Sequence, residues 1–197
     1  RLLDRVRREV SERRFALGVQ LIDHAHDPLA IAAGLSRIAE AAIDVLATGA
    51  ADHFAEDHGR IEGSRLVVLG FGRLGGGVLT HASDLDLVYL FTGDHEAESD
   101  GRRPLGATQY FNRLAQRVSA ALSVPTAEGA LYEVDTRLRP SGAQGLLAVS
   151  TDSFARYQRE QAWTWEHMAL MRARVLHGPP ESAALLAGFV RDLVSAP

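Results

Sequence analysis

The 197-residue sequence has no cysteine. That absence excludes a disulfide framework, a thiolate zinc site, an iron–sulfur cluster and a cysteine nucleophile. It also lacks a surplus of positive charge: 21 Lys+Arg stand against 25 Asp+Glu, a formal net charge of -4, with a pI near 6.1. This balance argues against holding a phosphate backbone by bulk charge, so no nucleic-acid partner is expected. No apolar run approaches the ~20 residues of a membrane span, and no signal peptide is visible. No membrane partner is therefore expected, and a cytoplasmic location is. The chain opens on Arg1 and not on Met, and is expected to be a segment of something longer. No internal repeat is present. These limits leave a single domain, or a compact domain with an extension, long enough to bury a core.

Residues 1 to about 62 read as a helical arm. Leu2, Leu3, Val6, Val10 and Leu17 recur at helical spacing among Arg5, Arg7, Arg8, Arg13 and Arg14. These arginines read as a solvated face or as a surface that meets a neighbouring domain. Pro28 suits the start of a second helix, with Gly49 and Gly59 as candidate stops. Residues 63–197 read as the catalytic core. Leu66–Leu69 and Asp84–Phe91 are expected strands, 108–122 a helix, Leu131–Leu138 a third strand and Leu146–Val149 a short fourth. A long helix is expected from Asp152 to Arg174, capped by Thr151 or Asp152, and a last one from Glu181 to Val194. The segment Thr92–Gly106 reads as a mobile surface loop. The fold class is mixed α/β (α+β).

Gly70-Phe-Gly72-Arg-Leu-Gly75 matches G-x-G-x-x-G directly after a strand. A dinucleotide-binding unit needs a full crossover helix and an acid at the far end of the next strand. Here only Arg73–Ala82 intervenes, and Asp84 and Asp86 precede the apolar run, so the nicotinamide or flavin reading fails. The same stretch suits another phosphate chemistry. Strand alternation points Asp84 and Asp86 to one side and Leu85 and Leu87 to the core. Two carboxylates beside a short helix starting at Gly75-Gly76 suit Mg²⁺ and a triphosphate, with backbone N–H groups close to the phosphates.

Two-metal phosphoryl transfer calls for a further carboxylate near the attacking oxygen. Alternation along 131–139 would place Glu133, Asp135, Arg137 and Arg139 on one face. Asp135 then either joins the metal site or is paired structurally by Arg137 and Arg139. If not so paired, both guanidinium groups suit phosphate oxygens. Other features stay unassigned to chemistry. His24 and His26 read as a helix end, His53 and His58 are poorly spaced for chelation, and Trp163 and Trp165 with Phe154 and Tyr157 read as core packing, with base stacking as the sharper reading.

A Gly-Gly loop, a D-x-D strand and a later single-Asp strand describe a nucleotidyltransferase palm of the DNA polymerase β type. The stretches GFGRLGG, SDLDLVYLF, LYEVDTRLRPSG and YQREQAWTWEHMALMRARV, in that order, resemble the glutamine synthetase adenylyltransferase family. Proteins of that family carry two such domains, one transferring AMP to a tyrosine of glutamine synthetase and one removing it by phosphorolysis. Tyr132–Asp135 and Ala162–His167 resemble the C-terminal, adenylylating copy. Departures are Arg73, where Lys is usual, and Gly77, where a larger polar residue is common. The resemblance implies ATP as substrate and two Mg²⁺ ions held by Asp84, Asp86 and Asp135, with Asp135 also accepting the tyrosine proton. It implies Gly75, Gly76, Arg73 and Ser83 at the triphosphate, with Arg137 and Arg139 as further candidates. Glutamine synthetase is the expected partner, and a PII-type signal protein is expected to act through regions outside this segment. The alternatives are the deadenylylating copy and a palm that binds nucleotide without catalysis.

Overall fold

The strand at 85–91 is apolar on both faces after its acidic opening, so it needs cover from both sides. In a computed structural model that describes residues 1–24 and 26–195, it gets that cover. The elements run α1 (Leu2–Ile22), α2 (Pro28–His58), β1 (Leu66–Gly70), α3 (Gly72–Gly75), β2 (Leu85–Phe91), α4 (Ala107–Ser123) and β3 (Val134–Asp135). A one-turn 3-10 helix (Gly142–Gln144), β4 (Ala148–Ser150), α5 (Thr151–Glu160), α6 (Thr164–Leu170), β5 (Arg174–His177) and α7 (Ser182–Ser195) follow. The architecture is mixed α/β with a small mixed sheet of five strands.

β2 is the centre of that sheet. β1 pairs antiparallel along one edge, with Leu66 opposite Phe91 and Gly70 opposite Leu87. The parallel partners β3 and β4 divide the rest, β3 beside Leu85–Asp86 and β4 beside Tyr89–Phe91. β5 lies antiparallel on the far side of β1, with Gly70 opposite Arg174. Leu85, Leu87, Tyr89 and Phe91 pack with α2 and α4, through residues such as Leu35, Ile43, Phe54, Phe111, Leu114 and Val118. Val88 and Leu90 join Val67, Leu69, Phe154 and Leu170 on the opposite face, against α5, α6 and α7. The antiparallel β1–β2 pair also excludes a βαβ dinucleotide unit, which needs parallel strands.

Several expectations are corrected. Gly49 does not stop α2, which runs on to His58; Gly59, with φ 70°, caps it, and Asp27 accepts from the Leu29 amide at its start. The strand expected over 131–138 is only Val134–Asp135. Beyond it, the Asp135 carboxylate accepts from the Arg137 amide at 2.8 Å and curls the chain out of the ladder. The long helix expected to Arg174 ends at Glu160, resumes as α6, and gives way to β5. Its cap is Ser150, whose hydroxyl accepts from the Ser153 amide. β5 forms because β1 would otherwise leave a buried row of backbone groups unpaired. The 92–106 loop is tied down: Asp100 accepts from the Arg60 amide, Gly101 donates to the His58 carbonyl and Ser99 is buried.

The N-terminal arginines are not all solvated. Arg7 is 1% exposed. Its guanidinium donates to the carbonyls of Gly129 at 2.9 Å, Ala121 at 3.0 Å, Val124 at 2.6 Å and Leu3 at 3.3 Å. It thereby closes the C-terminal end of α4, where a cation meets the negative end of the helix dipole. Arg14 similarly donates to the carbonyls of Leu131 and His81. Arg7→Ala should strip these carbonyls of partners and open a cavity, costing about 3 kcal/mol, measurable as a lower urea midpoint.

Candidate metal centre

Asp84 immediately precedes β2, Asp86 is its second residue, and Asp135 ends β3. Parallel pairing sets Asp86 directly beside Asp135. The outcome is a cluster in which one carboxylate oxygen from each of Asp84, Asp86 and Asp135 lies within 4.8 Å of the others. Asp84 is exposed, and the other two are half-buried. Among the described residues, it is the one group of three such ligands close enough to share an ion.

The three acids differ in environment. Burial pushes the Asp86 carboxyl up from its ordinary value, and the charges of Asp84 and Asp135 add to the rise. Asp135 goes the other way, held below the usual carboxylate range chiefly by the Arg137 hydrogen bond. Arg137 Nε donates to both Asp135 oxygens, at 3.0 and 2.8 Å, and its terminal nitrogen adds a further bond. A concentration of hard anionic oxygens, one of them unfavourably ionised, is the donor set that Mg²⁺ takes. The residues present fit that ion.

The glycine loop meets the acids from β1. Gly72 opens α3 at φ 53°, and a Cβ there would collide with the Asp86 carboxylate. Its identity is therefore demanded twice, by conformation and by space. Gly75 and Gly76 end α3 instead of starting a helix, which corrects the expected anion-binding helix start. A Cβ on Gly75 would strike the carbonyls of Arg172 and Gly70, so this glycine is needed for close backbone packing. Arg174 fixes the same end of α3 by donating to the carbonyls of Gly75 and Leu74, while pairing with Glu40. Gly76 and Arg73 are exposed.

The remaining expected phosphate ligands are differently employed. Ser83 bonds Thr80 through both the Thr80 amide and hydroxyl, closing the turn before Asp84. Arg137 embraces Asp135, as the structural alternative anticipated. Arg139 does not reach Asp135; it donates to the carbonyls of Thr136, Ala143 and Gly145 and shapes the turn after β3. The strand alternation that would have aligned it with Asp135 ends too early.

The α5–α6 corner contradicts its expected packing role. Phe154 is buried, but Trp163 is 71% and Trp165 56% exposed. Glu166, left without a role by the sequence, is 6% exposed and builds the corner: it accepts from Tyr157 Oη at 2.9 Å and from the Trp163 amide at 2.8 Å. The signal was readable as a Glu at the third position of a helix, reaching back to its first amide. Gly72 carried no signal in the sequence beyond its place in the G-x-G-x-x-G match.

Residues 1–187 match the family model for Glutamate-ammonia ligase adenylyltransferase. The chain belongs to that family. It is 43% identical over 197 residues to the bifunctional glutamine synthetase adenylyltransferase/adenylyl-removing enzyme of Brucella suis, covering 100% of this chain and 20% of that protein. Against the enzyme of the same name from Rhizobium meliloti it is 46% identical over 178 residues, 90% of this chain and 18% of the relative. For Xanthobacter autotrophicus the figures are 45% over 196 residues, 98% and 19%. The chain thus spans about one fifth of the length of these adenylyltransferase relatives. No helix among its described residues is long and apolar enough to cross a membrane.

Two substitutions probe the cluster without any activity measurement. The raised Asp86 carboxyl binds its proton more tightly folded than unfolded, so it costs stability as pH rises through that range. Asp135, lowered, costs stability as pH falls. Asp86→Asn should therefore raise the thermal midpoint at neutral pH by about 1–3 °C and abolish any midpoint gain from added Mg²⁺. Gly72→Ala should lower the midpoint, at a cost of about 1–2 kcal/mol, and weaken the Mg²⁺ response by displacing the Asp86 carboxylate.

Proposed function

We propose that this chain carries out adenylyl transfer from ATP to a tyrosine hydroxyl of glutamine synthetase, releasing pyrophosphate and lowering the activity of the target. The convergence of Asp84, Asp86 and Asp135 carries this reading. A polymerase-β-type palm is supported by the D-x-D opening of β2 and the single Asp at the end of β3. In this reading residues 63–197 are the catalytic core and 1–62 its helical arm. The Glu133-Val134-Asp135 and Trp163-Thr164-Trp165-Glu166-His167 sequences favour the adenylylating activity over the adenylyl-removing one.

Asp84, Asp86 and Asp135 would hold two Mg²⁺ ions together with the phosphates of ATP. When bound, the ions neutralise the triphosphate and polarise the α-phosphorus. Gly72 leaves room for the Asp86 carboxylate beside the loop, and Arg137 holds the Asp135 carboxylate in place while lowering its affinity for a proton. Once Arg137 turns to phosphate, Asp135 regains basicity and takes the proton of the tyrosine hydroxyl as its oxygen attacks the α-phosphorus and the bond to pyrophosphate breaks. Arg73, with no side-chain partner of its own among the described residues, joins Gly75, Gly76 and Ser83 on the triphosphate side. Arg137 supplies a second guanidinium once phosphate competes for it, and Arg139 serves by shaping the loop. Glutamine synthetase is the protein substrate, in the cytoplasm, and a signal protein of the PII type would act through regions outside this segment.

Asp84→Asn combined with Asp86→Asn should abolish AMP incorporation into unmodified glutamine synthetase, followed by mass spectrometry of its tyrosines, while circular dichroism stays unchanged. Retained transfer in the double variant would refute the assignment. Release of AMP from modified glutamine synthetase with phosphate, without the forward reaction, would assign the adenylyl-removing activity instead. Metal-dependent ATP binding with neither reaction would mark a non-catalytic palm.

A further inference from the structure

The α5–α6 corner exposes four large apolar side chains in nine residues: Trp163 by 71%, Trp165 by 56%, Met168 by 66% and Met171 by 63%. They are held out by a built scaffold. Glu166 ties Tyr157 to the Trp163 amide, and His167 Nε2 lies 2.7 Å from the Gln158 carbonyl. These bonds fix the backbone of the corner, and its indole and thioether groups stand in water, which marks a binding surface.

Its place in the fold ties it to the acid cluster. Asp86 alternates with Leu85 and Leu87 and so projects from the sheet face that carries Val88 and Leu90, the face on which Phe154 of α5 and Leu170 of α6 pack. β5 begins at Arg174 opposite Gly70, the end of β1 from which the glycine loop leaves. The Met171–Ala173 segment therefore reaches the sheet at the acidic end. The Arg172 carbonyl abuts Gly75, and the other end of α3, at Gly72, abuts Asp86. A four-residue helix is about 6 Å long, so the foot of α6 stands about one helical turn from the acids. α6 is itself roughly 10 Å long, with the tryptophans at its opposite end. Of the exposed charges on these elements that take part in none of the ion pairs among the described residues, three are cationic, Arg156, Arg159 and Arg172, and two anionic, Asp152 and Glu160.

We propose that this corner is the docking surface for the protein acceptor: a polypeptide segment with apolar anchors and carboxylates, laid along α6 so that its hydroxyl reaches Asp135. The proposal rests on the adenylyl-transfer reading and adds where and by what chemistry the acceptor is held. Its length along α6 suits a chain segment, and its cationic excess suits one that carries carboxylates.

The test compares the wild-type chain with Trp163→Ala/Trp165→Ala and Trp163→Phe/Trp165→Phe, using unmodified glutamine synthetase as the probe. Transfer kinetics, calorimetric binding to glutamine synthetase and sedimentation are measured together. The alanine variant should raise KM for glutamine synthetase by about tenfold or more and weaken its binding equally, with KM for ATP and the thermal midpoint unchanged. The phenylalanine variant should recover most of the loss. If the wild type transfers AMP and the alanine variant keeps its KM for glutamine synthetase, the docking proposal is overturned and the transfer reading stands. If the wild type binds glutamine synthetase through the tryptophans but transfers nothing, docking stands and the transfer reading falls. If the wild type neither binds nor transfers, both fall. A rise confined to KM for ATP would make the corner a nucleotide-stacking platform, and self-association lost in the variant would give it to a second copy; either outcome overturns the proposal.

Discussion

Setting Asp86 beside Asp135 in a parallel β2–β3 pair is the constraint around which the structure is arranged. Like charges side by side on adjacent strands are unfavourable, and Asp84 adds a third. The fold tolerates them because the pairing is two residues long and lies at the open end of the sheet, while the apolar remainder of β2 is locked between two packed faces. Arg137 relieves one of the three acids, and Asp86 is left with the cost. Stability is given up at this cluster, a pattern common at functional sites.

The two faces of the sheet divide the work. The α2–α4 side is large and continuous; Arg7 binds α1 to the carbonyls at the end of α4, and Arg174 of β5 binds α2 through the Glu40 carboxylate. The α5–α7 side is smaller and carries the exposed corner. A concavity of about 1040 Å³ between α1 and α2 is lined by residues such as Val6, Leu17 and Ile38 and by none of the three clustered acids. The candidate chemistry lies at the surface, at a strand end, where a large partner has access.

The elements with strong local signals were legible from the amino acids alone. β1, β2 and α4 follow from their apolar patterns, and the D-x-D opening of β2 gave two members of the acid cluster. The errors cluster where long-range pairing or a side chain overrides local preference. β5 is a strand because β1 has an edge to fill, which no pattern within 174–177 reveals. The strand through 131–138 fails because Asp135 bonds its own backbone two residues on. Arg7 reads as one more solvated cation until the end of α4 arrives, over a hundred residues later, to need it. Trp163 and Trp165 read as core because aromatic residues are usually buried; both are exposed, at a corner whose backbone Glu166 holds.

The clamping of α3 has a consequence for how such a centre can change. Its position is set by backbone meeting backbone at Gly75 and by a missing side chain at Gly72, while the exposed Arg73 side chain makes no hydrogen bond or ion pair among the described residues. A frame made of absences leaves its own decoration free to drift. Exchange of the charge or reach at position 73 can alter the outward chemistry of the loop in one step, whereas enlarging Gly72 must move an acid and enlarging Gly75 must move the end of β1 and the Arg172 backbone. Adaptation of this loop is therefore channelled into a single exposed side chain.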